Sequence, residues 1–357
     1  MEVYTMKHIR LILIVLLAGL LGFTLISCNR ASKSAEKLYL YNWTYYTPDE
    51  LVAKFKKETG IEIIIDNFAS NEEMFAKVMA GGAEGYDIIF PSSDYTSIMI
   101  NHGLVQELDH SLLPNLKYVS PTVTEKADYD PDLKYHVPYF MGSSGIAVNT
   151  ARVPFEYERT WAIFADQRMA GRMTFLDDMR EVMGAALKHL GYSGNTTDER
   201  ELDEATALII NEWKPNIIKF DSESFGKAFS RGEFWVVHSY PENVFAELPA
   251  DMWDSVDFFI PPEGGMMYID NMVIPNGAKN VKNAHKFMNF IHDPKNYAIF
   301  LDEFDFPPTT NTGAERYMKN DAFFFTDKDL VNSDLNDDLG EYLDLYNARW
   351  QKIRYEH

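Results

Sequence analysis

The sequence has a single cysteine, Cys28, and few basic residues compared with acidic ones. With no cysteine after Cys28, the chain can form neither an intrachain disulfide nor a thiolate metal cluster. Its 33 lysines and arginines face 54 aspartates and glutamates, and the net charge of −21 repels nucleic acid and anionic membranes. The strings His-Glu-x-x-His, Gly-x-Ser-x-Gly and Gly-x-x-x-x-Gly-Lys are also absent. Zinc proteases, α/β-hydrolases and nucleotide-binding proteins therefore find no support in this sequence.

Residues 1–27 predict a secretory signal peptide. Lys7 and Arg10 supply a basic start, and the apolar run that follows carries no charge. Residues 25–28 (Leu-Ile-Ser-Cys) resemble the lipobox of bacterial lipoproteins, which predicts lipidation of Cys28. The alternative is an uncleaved anchor, because the run approaches the about 18 apolar residues of a spanning helix. Either way, the rest of the chain is expected at the periplasmic or extracytoplasmic face of a bacterial membrane.

After a short stalk, residues 28–37, strands and helices alternate in a way that predicts a mainly parallel α/β sheet. Strands are predicted at 38–41, 61–66, 87–90, 172–176 and 234–238. A helix is predicted from Met179 to Leu190, and a long C-terminal helix over 338–354. The mature chain exceeds the about 250–300 residues at which single cores stop growing, so two domains are expected. Since no Pro/Gly/Ser-rich linker is present, the chain is expected to pass between them through strands.

Aromatic and acidic side chains follow the predicted strands, where ligands bind in open α/β sheets. The set comprises Trp43, Tyr46, Ser92, Asp94, Asp178, Glu181, Tyr240, Tyr268 and Asp270. Arg180 is the one basic residue that stands among them. Carboxylates pair with ammonium groups, while aromatic faces attract the same charge and cover methylene segments. The pattern predicts a site for an elongated organic cation.

Several of these residues also have a purely structural interpretation. Asp178 and Glu181 stand three apart at a helix start, which is a capping-box pattern. Trp43 and Tyr46 fit a hydrophobic core as well as a binding loop, and Phe306 fits a packing anchor in a turn.

Five strings of the sequence resemble, in order, the spermidine/putrescine-binding proteins of polyamine ABC transporters. They are residues 41–44 (Tyr-Asn-Trp-Thr), 90–93 (Phe-Pro-Ser-Ser), 177–181 (Asp-Asp-Met-Arg-Glu), 191–197 (Gly-Tyr-Ser-Gly-Asn-Thr-Thr) and 263–265 (Glu-Gly-Gly). The resemblance runs from about Leu38 to the C-terminus. It implies a fold like the type II periplasmic binding proteins, with two α/β lobes joined by crossover segments around a ligand cleft. Lobe 1 is expected to comprise 38–142 plus 269–313, and lobe 2 143–268 plus 314–357.

The resemblance also implies a function, namely a solute receptor that binds putrescine and/or spermidine and delivers it to an ABC transporter permease. Trp43 and Tyr46 would stack on the polyamine, and Ser92 would line the cleft. Asp178 and Glu181 would hold one terminal amine. The implied partners are the polyamine, the permease subunits and, through lipidated Cys28, the membrane. No cofactor, metal or enzymatic activity is implied.

The remaining implied ligand contacts include positions where this chain departs from the family. Asp270 would hold an inner or opposite amine. The other implied contacts are Thr44, Asp94, Tyr240, Tyr268, Phe306 and Asn336. Tyr240 and Tyr268 stand where tryptophans are common, Phe306 replaces a tyrosine, and Asn336 replaces a glutamine. Asp94 replaces an aromatic residue, and we expect it to contact an amine or water at the cleft edge, since a buried carboxylate without a partner is costly.

Other functions remain open at this point. The carboxylates and aromatics would also suit an extracytoplasmic carbohydrate-binding protein or a glycosidase, although no residue is marked as the acid. A receptor for another organic cation, such as choline, would use an aromatic cage with fewer acids. Related solute receptors bind iron through tyrosines. An adhesive surface lipoprotein would bind no small ligand.

Overall fold

The computed structural model describes residues 36–44, 46–68, 70–319 and 324–355. The predicted signal peptide, Cys28 and nearly all of the stalk lie outside these residues, so these assignments stay predictions. Within the described ranges, none of the helices combines the length and the apolar composition needed to cross a bilayer.

The first of two sheets has six strands, namely β1 (Lys37–Trp43), β2 (Glu62–Phe68), β3 (Ile88–Ile89), β4 (His136–Ser143), β10 (Met266–Val273) and β11 (Asp334–Leu335). Their order is β11-β10-β3-β1-β2, with β4 also paired to β10. β1 runs parallel to both β2 and β3, which confirms the alternation predicted for the first part of the chain. β10 instead runs antiparallel to β3 and β4, so the sheet is mixed.

The second sheet has five strands, namely β5 (Gly145–Asn149), β6 (Met173–Phe175), β7 (Ile217–Phe220), β8 (Val236–Ser239) and β9 (Val256–Phe259). Their order is β7-β6-β8-β5-β9. β6 is parallel to β7 and β8, whereas β5 is antiparallel to β8 and β9. The strands predicted at 172–176 and 234–238 are therefore present.

The chain passes between the sheets in short extended segments. β4 of the first sheet ends at Ser143 and β5 of the second begins at Gly145, so Ser144 alone separates them. The return runs from β9 to β10 through residues 260–265. β11, within the segment 314–357, pairs with β10 of the first sheet. The division into lobes at 142/143, 268/269 and 313/314 stays a prediction.

Eleven α-helices of the described chain cover these sheets. They are α1 (Asp49–Thr59), α2 (Asn71–Met79), α3 (Ser93–Asn101), α4 (Pro121–Lys126), α5 (Met179–His189), α6 (Glu199–Leu208), α7 (Phe225–Ser230), α8 (Pro241–Phe245), α9 (Val281–Ile291), α10 (Pro294–Phe304) and α11 (Leu343–Tyr355). α5 agrees with its prediction to one residue. α11 begins five residues later than predicted, because a 3₁₀ turn over 340–342 precedes it and Gly340 has a φ of +50°.

Each sheet has its own buried core. On the first sheet, Phe55 of α1, Phe287 of α9 and Phe300 of α10 pack with the apolar side chains of β1. On the second, helices α5, α6 and α11 pack over β5, β6 and β8, around Trp161 and Trp213. Burial of these apolar side chains holds each sheet rigid and fixes the loops at its strand ends.

Candidate ligand-binding site

A cleft of about 700 Å³ is lined by residues from both sheets. All twelve side chains predicted to contact a ligand line this cleft. They are Trp43, Thr44, Tyr46, Ser92, Asp94, Asp178, Glu181, Tyr240, Tyr268, Asp270, Phe306 and Asn336. The structure thus brings the predicted set together, while its role in binding stays a proposal.

The strand ends explain this convergence. Trp43 is the last residue of β1, and Ser92 follows β3, which is parallel to β1. Asp178 comes three residues after β6, and Tyr240 directly follows β8, which is parallel to β6. Because parallel strands end at the same edge of a sheet, these loops meet at one edge in each half of the protein.

Asp270 of β10 is held by two hydroxyl groups from the same sheet. Ser92 Oγ donates to Asp270 Oδ1 at 2.6 Å, and Tyr46 Oη donates to Asp270 Oδ2 at 2.8 Å. An isolated antiparallel bridge between Ser92 and Asp270 also fixes their backbones relative to each other. Burial raises the pKa of Asp270 to about 6, although both hydrogen bonds oppose that rise. The carboxylate is therefore oriented before any ligand binds.

Glu181, in the first turn of α5, is the most buried of the cleft carboxylates, with an exposure of 2%. Ser144 Oγ donates to its Oε2, and Tyr240 Oη donates to its Oε1 at 3.1 Å. Burial, followed by the nearby charge of Asp178, raises the pKa of Glu181 to about 8. At neutral pH this side chain is therefore largely protonated unless a cation binds beside it.

Asp178 caps a helix and also lines the cleft. Its Oδ1 accepts hydrogen bonds from the backbone N–H groups of Arg180 at 2.9 Å and Glu181 at 3.1 Å, so it caps α5. Its side chain is also open to the cleft. The surrounding protein displaces bulk water and raises its pKa, against the two backbone hydrogen bonds. The cap leaves the second carboxylate oxygen for a ligand.

Arg180, the single arginine among the described lining residues, is engaged elsewhere. Its Nη1 donates to the carbonyl oxygen of Asp337 at 3.0 Å, and its Nη2 donates to Asn195 Oδ1. The guanidinium carbon also lies 5.4 Å from the ring centroid of Tyr346. Arg180 therefore joins α5 to the loops at 195 and 337.

The aromatic side chains form walls rather than a closed cage. The rings of Trp43 and Phe68 lie 4.5 Å apart at 58°, and those of Tyr240 and Tyr268 meet edge to face at 5.7 Å. Phe306 stacks on Phe140 at 4.0 Å and is 5% exposed. Phe306 is thus chiefly a packing anchor that presents an edge to the cleft.

Two departures from the family pattern place polar atoms in the cleft. Asp94 lies in the first turn of α3, and burial raises its pKa to about 6. Asn336 follows β11, where its backbone N–H donates to the carbonyl oxygen of Met267 at 3.0 Å. Asn336 Oδ1 is buried without a hydrogen-bond partner in the described structure, so a donor from a ligand would satisfy it.

Sequence reasoning missed several polar residues of the cleft. Glu242 lies two residues after Tyr240, and burial raises its pKa to about 7. Glu72 lies at the start of α2, directly after the loop that ends β2. The same strand-end rule would have found both, had it been applied to β2 and continued past Pro241. The other missed lining residues are Ser70, Asn71, Ser93, Tyr95 and Asn243.

The described lining of the cleft is rich in carboxyl groups. Six carboxylates line it, namely those of Glu72, Asp94, Asp178, Glu181, Glu242 and Asp270. The described lining contains no lysine to offset them. In the part of the chain that the structure describes, no three His, Cys, Asp or Glu side chains are grouped to hold a metal ion. Ammonium groups are the ligands that such a surface satisfies best.

Comparison with known proteins agrees with this geometry. Residues 50–326 match the bacterial extracellular solute-binding protein family. The spermidine/putrescine-binding periplasmic protein 1 of Haemophilus influenzae is 32% identical, covering 94% of this chain and 97% of that protein. The putrescine/cadaverine-binding protein of Pseudomonas aeruginosa is 35% identical, covering 84% of this chain and 86% of that protein.

A solved structure extends the comparison to three dimensions. The Tp0655 (TpPotD) lipoprotein of Treponema pallidum superposes with a TM-score of 0.86 at 45% identity, covering 90% of this chain and all of that one. The Haemophilus and Pseudomonas relatives are both named as binding proteins. The predicted α/β fold, of the periplasmic binding protein type, is confirmed by this similarity. The chain therefore belongs to the bacterial extracellular solute-binding proteins.

Proposed function

We propose that this protein is an extracytoplasmic receptor that binds polyamines, putrescine and/or spermidine, in its cleft and delivers them to an ABC transporter permease. The observation that carries the proposal is the convergence of six carboxylates and several aromatic rings on one cleft whose single arginine is bound to other loops. The names of the relatives in Haemophilus and Pseudomonas point to the same ligand class.

The chemistry of the cleft matches a flexible chain with a charge at each end. A primary ammonium group has three N–H donors, and carboxylates accept them in charge-assisted hydrogen bonds. Asp270 offers such an acceptor in one half of the cleft, and Asp178 with Glu181 offers another in the other half. The faces and edges of Trp43 and Tyr268 would cover the methylene groups between them. A cleft of about 700 Å³ accommodates a ligand of this size.

A ligand that touches both sheets also explains how binding would be signalled. Asp270 belongs to the first sheet, whereas Asp178 and Glu181 begin a helix of the second. A diamine held at both ends binds a closed arrangement better than an open one and shifts the population toward it. The closed surface would then be presented to the permease. The predicted acyl chain at Cys28 would keep the receptor near that partner, at about 0.8 kcal/mol per buried CH₂.

A ligand panel tests the proposal directly. The melting temperature of the protein would be measured with putrescine, spermidine, spermine, choline and maltose, since a tight ligand stabilises the folded state. We expect stabilisation by putrescine or spermidine in the native protein and in Asp254→Asn, which changes an exposed carboxylate outside the cleft. Asp270→Asn should lose most of that stabilisation. Stabilisation by maltose alone, by choline alone or by none of these compounds would reject the polyamine proposal.

Asp94 carries a separate part of the proposal, namely a contact with an amine or water at the edge of the cleft. Calorimetric titration of Asp94→Ala with putrescine and spermidine tests it, with Asp94→Asn as the variant that keeps shape but removes charge. We expect weaker binding of at least one of the two polyamines by both variants. Unchanged affinity for both polyamines would reject a role for Asp94.

A further inference from the structure

Two buried polar side chains lie behind Glu181 and do not line the cleft. Ser144 Oγ donates to Glu181 Oε2, and His238 Nε2 lies 2.8 Å from the same Ser144 oxygen. Ser144 and His238 are both 0% exposed. Ser144 is the residue between β4 and β5, and His238 is on β8, so the contact joins the crossover to the second sheet. A chain of hydrogen bonds thus reaches the cleft carboxylate from inside the protein.

The surroundings of His238 determine the direction in which the hydrogen bonds between His238, Ser144 and Glu181 are donated. Its ring is in edge-to-face contact with Trp161 at 5.0 Å and with Phe175 at 5.5 Å, and burial lowers its pKa to about 3. The neutral ring has one N–H group. Its Nδ1 has no hydrogen-bond partner among the residues that the structure describes. A buried N–H without an acceptor is costlier than a bare nitrogen lone pair, which places the proton on Nε2.

With the proton on His238 Nε2, every donor in the chain faces the carboxylate. The ring N–H donates to Ser144 Oγ, which leaves the serine hydroxyl hydrogen free to donate to Glu181 Oε2. The reverse order, in which Ser144 donates to Nε2, would leave an unpaired N–H at Nδ1 in either protonation state of Glu181. The observed environment disfavours this reverse order.

We infer that Ser144 and His238 are positioning residues, which fix the orientation of the Glu181 carboxylate and favour the charged form that receives an ammonium group. The inference rests on the proposed function, because it assigns the ammonium group to a polyamine in the cleft. Tyr240 Oη holds the other oxygen, Oε1, from the cleft side. Both oxygens are thus placed before the ligand arrives.

Other charged and titratable groups face Glu181 and act on the same equilibrium. Asp178 and Arg180 lie on its own helix, Tyr240 follows β8, and Tyr268 lies on β10. Asp178 opposes ionisation of Glu181, whereas Arg180, Ser144 and Tyr240 favour it. Removing the serine hydroxyl should therefore move the ionisation of Glu181 to higher pH while the other groups stay in place.

The test measures the affinity for putrescine by calorimetry between pH 6 and 8.5. For Ser144→Ala and His238→Leu, we expect binding about 10-fold weaker at pH 7 and a pH midpoint about one unit higher. Ser144→Thr keeps the hydroxyl and His238→Gln keeps an N–H donor, so both should resemble the native protein. Ser143→Ala is the control, because Ser143 is also buried but its hydroxyl lies against the backbone carbonyl oxygens of Met266 and Ser144 and not against Glu181.

The outcomes separate this inference from the proposed function. If the native protein binds no polyamine, the proposed function fails. If it binds, but Ser144→Ala and His238→Leu keep its affinity and pH midpoint, the positioning role is wrong. Nitrogen-15 NMR of the histidine ring in the native protein needs no variant. It should show the proton on Nε2, and a proton on Nδ1 would overturn the inference.

Discussion

Polyamine binding should become tighter as the pH rises, because the cleft must lose protons to receive cations. Glu181 has a pKa of about 8, so about 1% of it is ionised at pH 6 and about half at pH 8. If the bound ammonium group holds Glu181 fully ionised, this residue alone raises the affinity for putrescine about 50-fold over that range. Glu242, with a pKa of about 7, adds up to about 10-fold if it also faces an amine.

The sign of this effect follows from the ligand as well as from the protein. Primary amines have pKa values of about 10, so the ligand stays charged over this pH range and does not offset the effect of carboxylate ionisation on the affinity. Each proton that leaves a carboxylate on binding adds a buffer-dependent heat. Calorimetry at pH 7 in two buffers of different ionisation enthalpy should therefore give different heats, and the difference between the heats divided by the difference in ionisation enthalpy gives the number of protons released.

The variant Glu181→Gln tests whether this residue is the source of the pH dependence. It cannot ionise, so it should bind putrescine more weakly at pH 8 and lose most of the pH dependence. Glu212→Gln, which changes an exposed side chain away from the cleft, should behave like the native protein. An affinity that stays within about twofold from pH 6 to 8.5, with no difference between buffers, would refute the reasoning.

Three further predictions concern the cleft carboxylates and the backbone. Asp270→Asn keeps the shape of the side chain but loses its charge. Calorimetry should show putrescine binding weakened on the order of 100-fold. A loss of affinity below threefold would contradict the role assigned to Asp270. Between pH 7 and 8.5, the free energy of unfolding of the ligand-free protein in urea titrations should fall by about 1 kcal/mol. The pKa of Glu181 is raised in the folded state, so the stabilisation that its protonated form provides is complete below pH 4 and disappears as the pH passes about 8. The buried His238 and His292 have lowered pKa values and destabilise the fold only as the pH falls below about 6.5, so flat or rising stability above pH 7 would argue against the raised pKa. Gly264→Ala should cost about 2 kcal/mol or more in urea unfolding, because Gly264 has a φ of +89° and a Cβ there would overlap the carbonyl oxygen of Asn332. Gly191→Ala has a similar φ of +81° but open space around it, so it should cost only about 1 kcal/mol, and equal losses at the two sites would exclude the overlap as the cause.

The parts of the fold that were predictable from the sequence are those set by local pattern. β1, β2 and β3 follow from short β-branched and aromatic runs with helices between them, and their parallel pairing follows from that alternation. The antiparallel pairing of β4 with β10 could not be predicted from local pattern, because it joins segments more than a hundred residues apart with no turn between them. Local patterns contain no information on such contacts.

The same distinction applies to the cleft. Most of the twelve predicted residues follow strands or stand in the family strings, whereas Phe306 and Asn336 were predicted from the family resemblance alone. Glu242 was missed although it obeys the same rule, because it lies two residues beyond Tyr240, the residue that directly follows β8. Ser144 and His238 gave no signal, since neither stands in a functional motif and 94 positions separate them.

The hydrogen-bond donors of the two principal carboxylates are divided between the halves of the protein. Asp270 receives its hydrogen bonds from Ser92 and Tyr46, which follow strands of its own sheet. Glu181 receives its hydrogen bonds from Ser144 and Tyr240, at the crossover and the end of the second sheet. Asp270 takes its orientation from its own half, and Glu181 takes its orientation from the second half and the crossover, so a change in the angle between the sheets alters the distance that separates them. The protein would then discriminate between diamines by the number of carbons between their nitrogens, because the spacing of the two ammonium groups must match that distance.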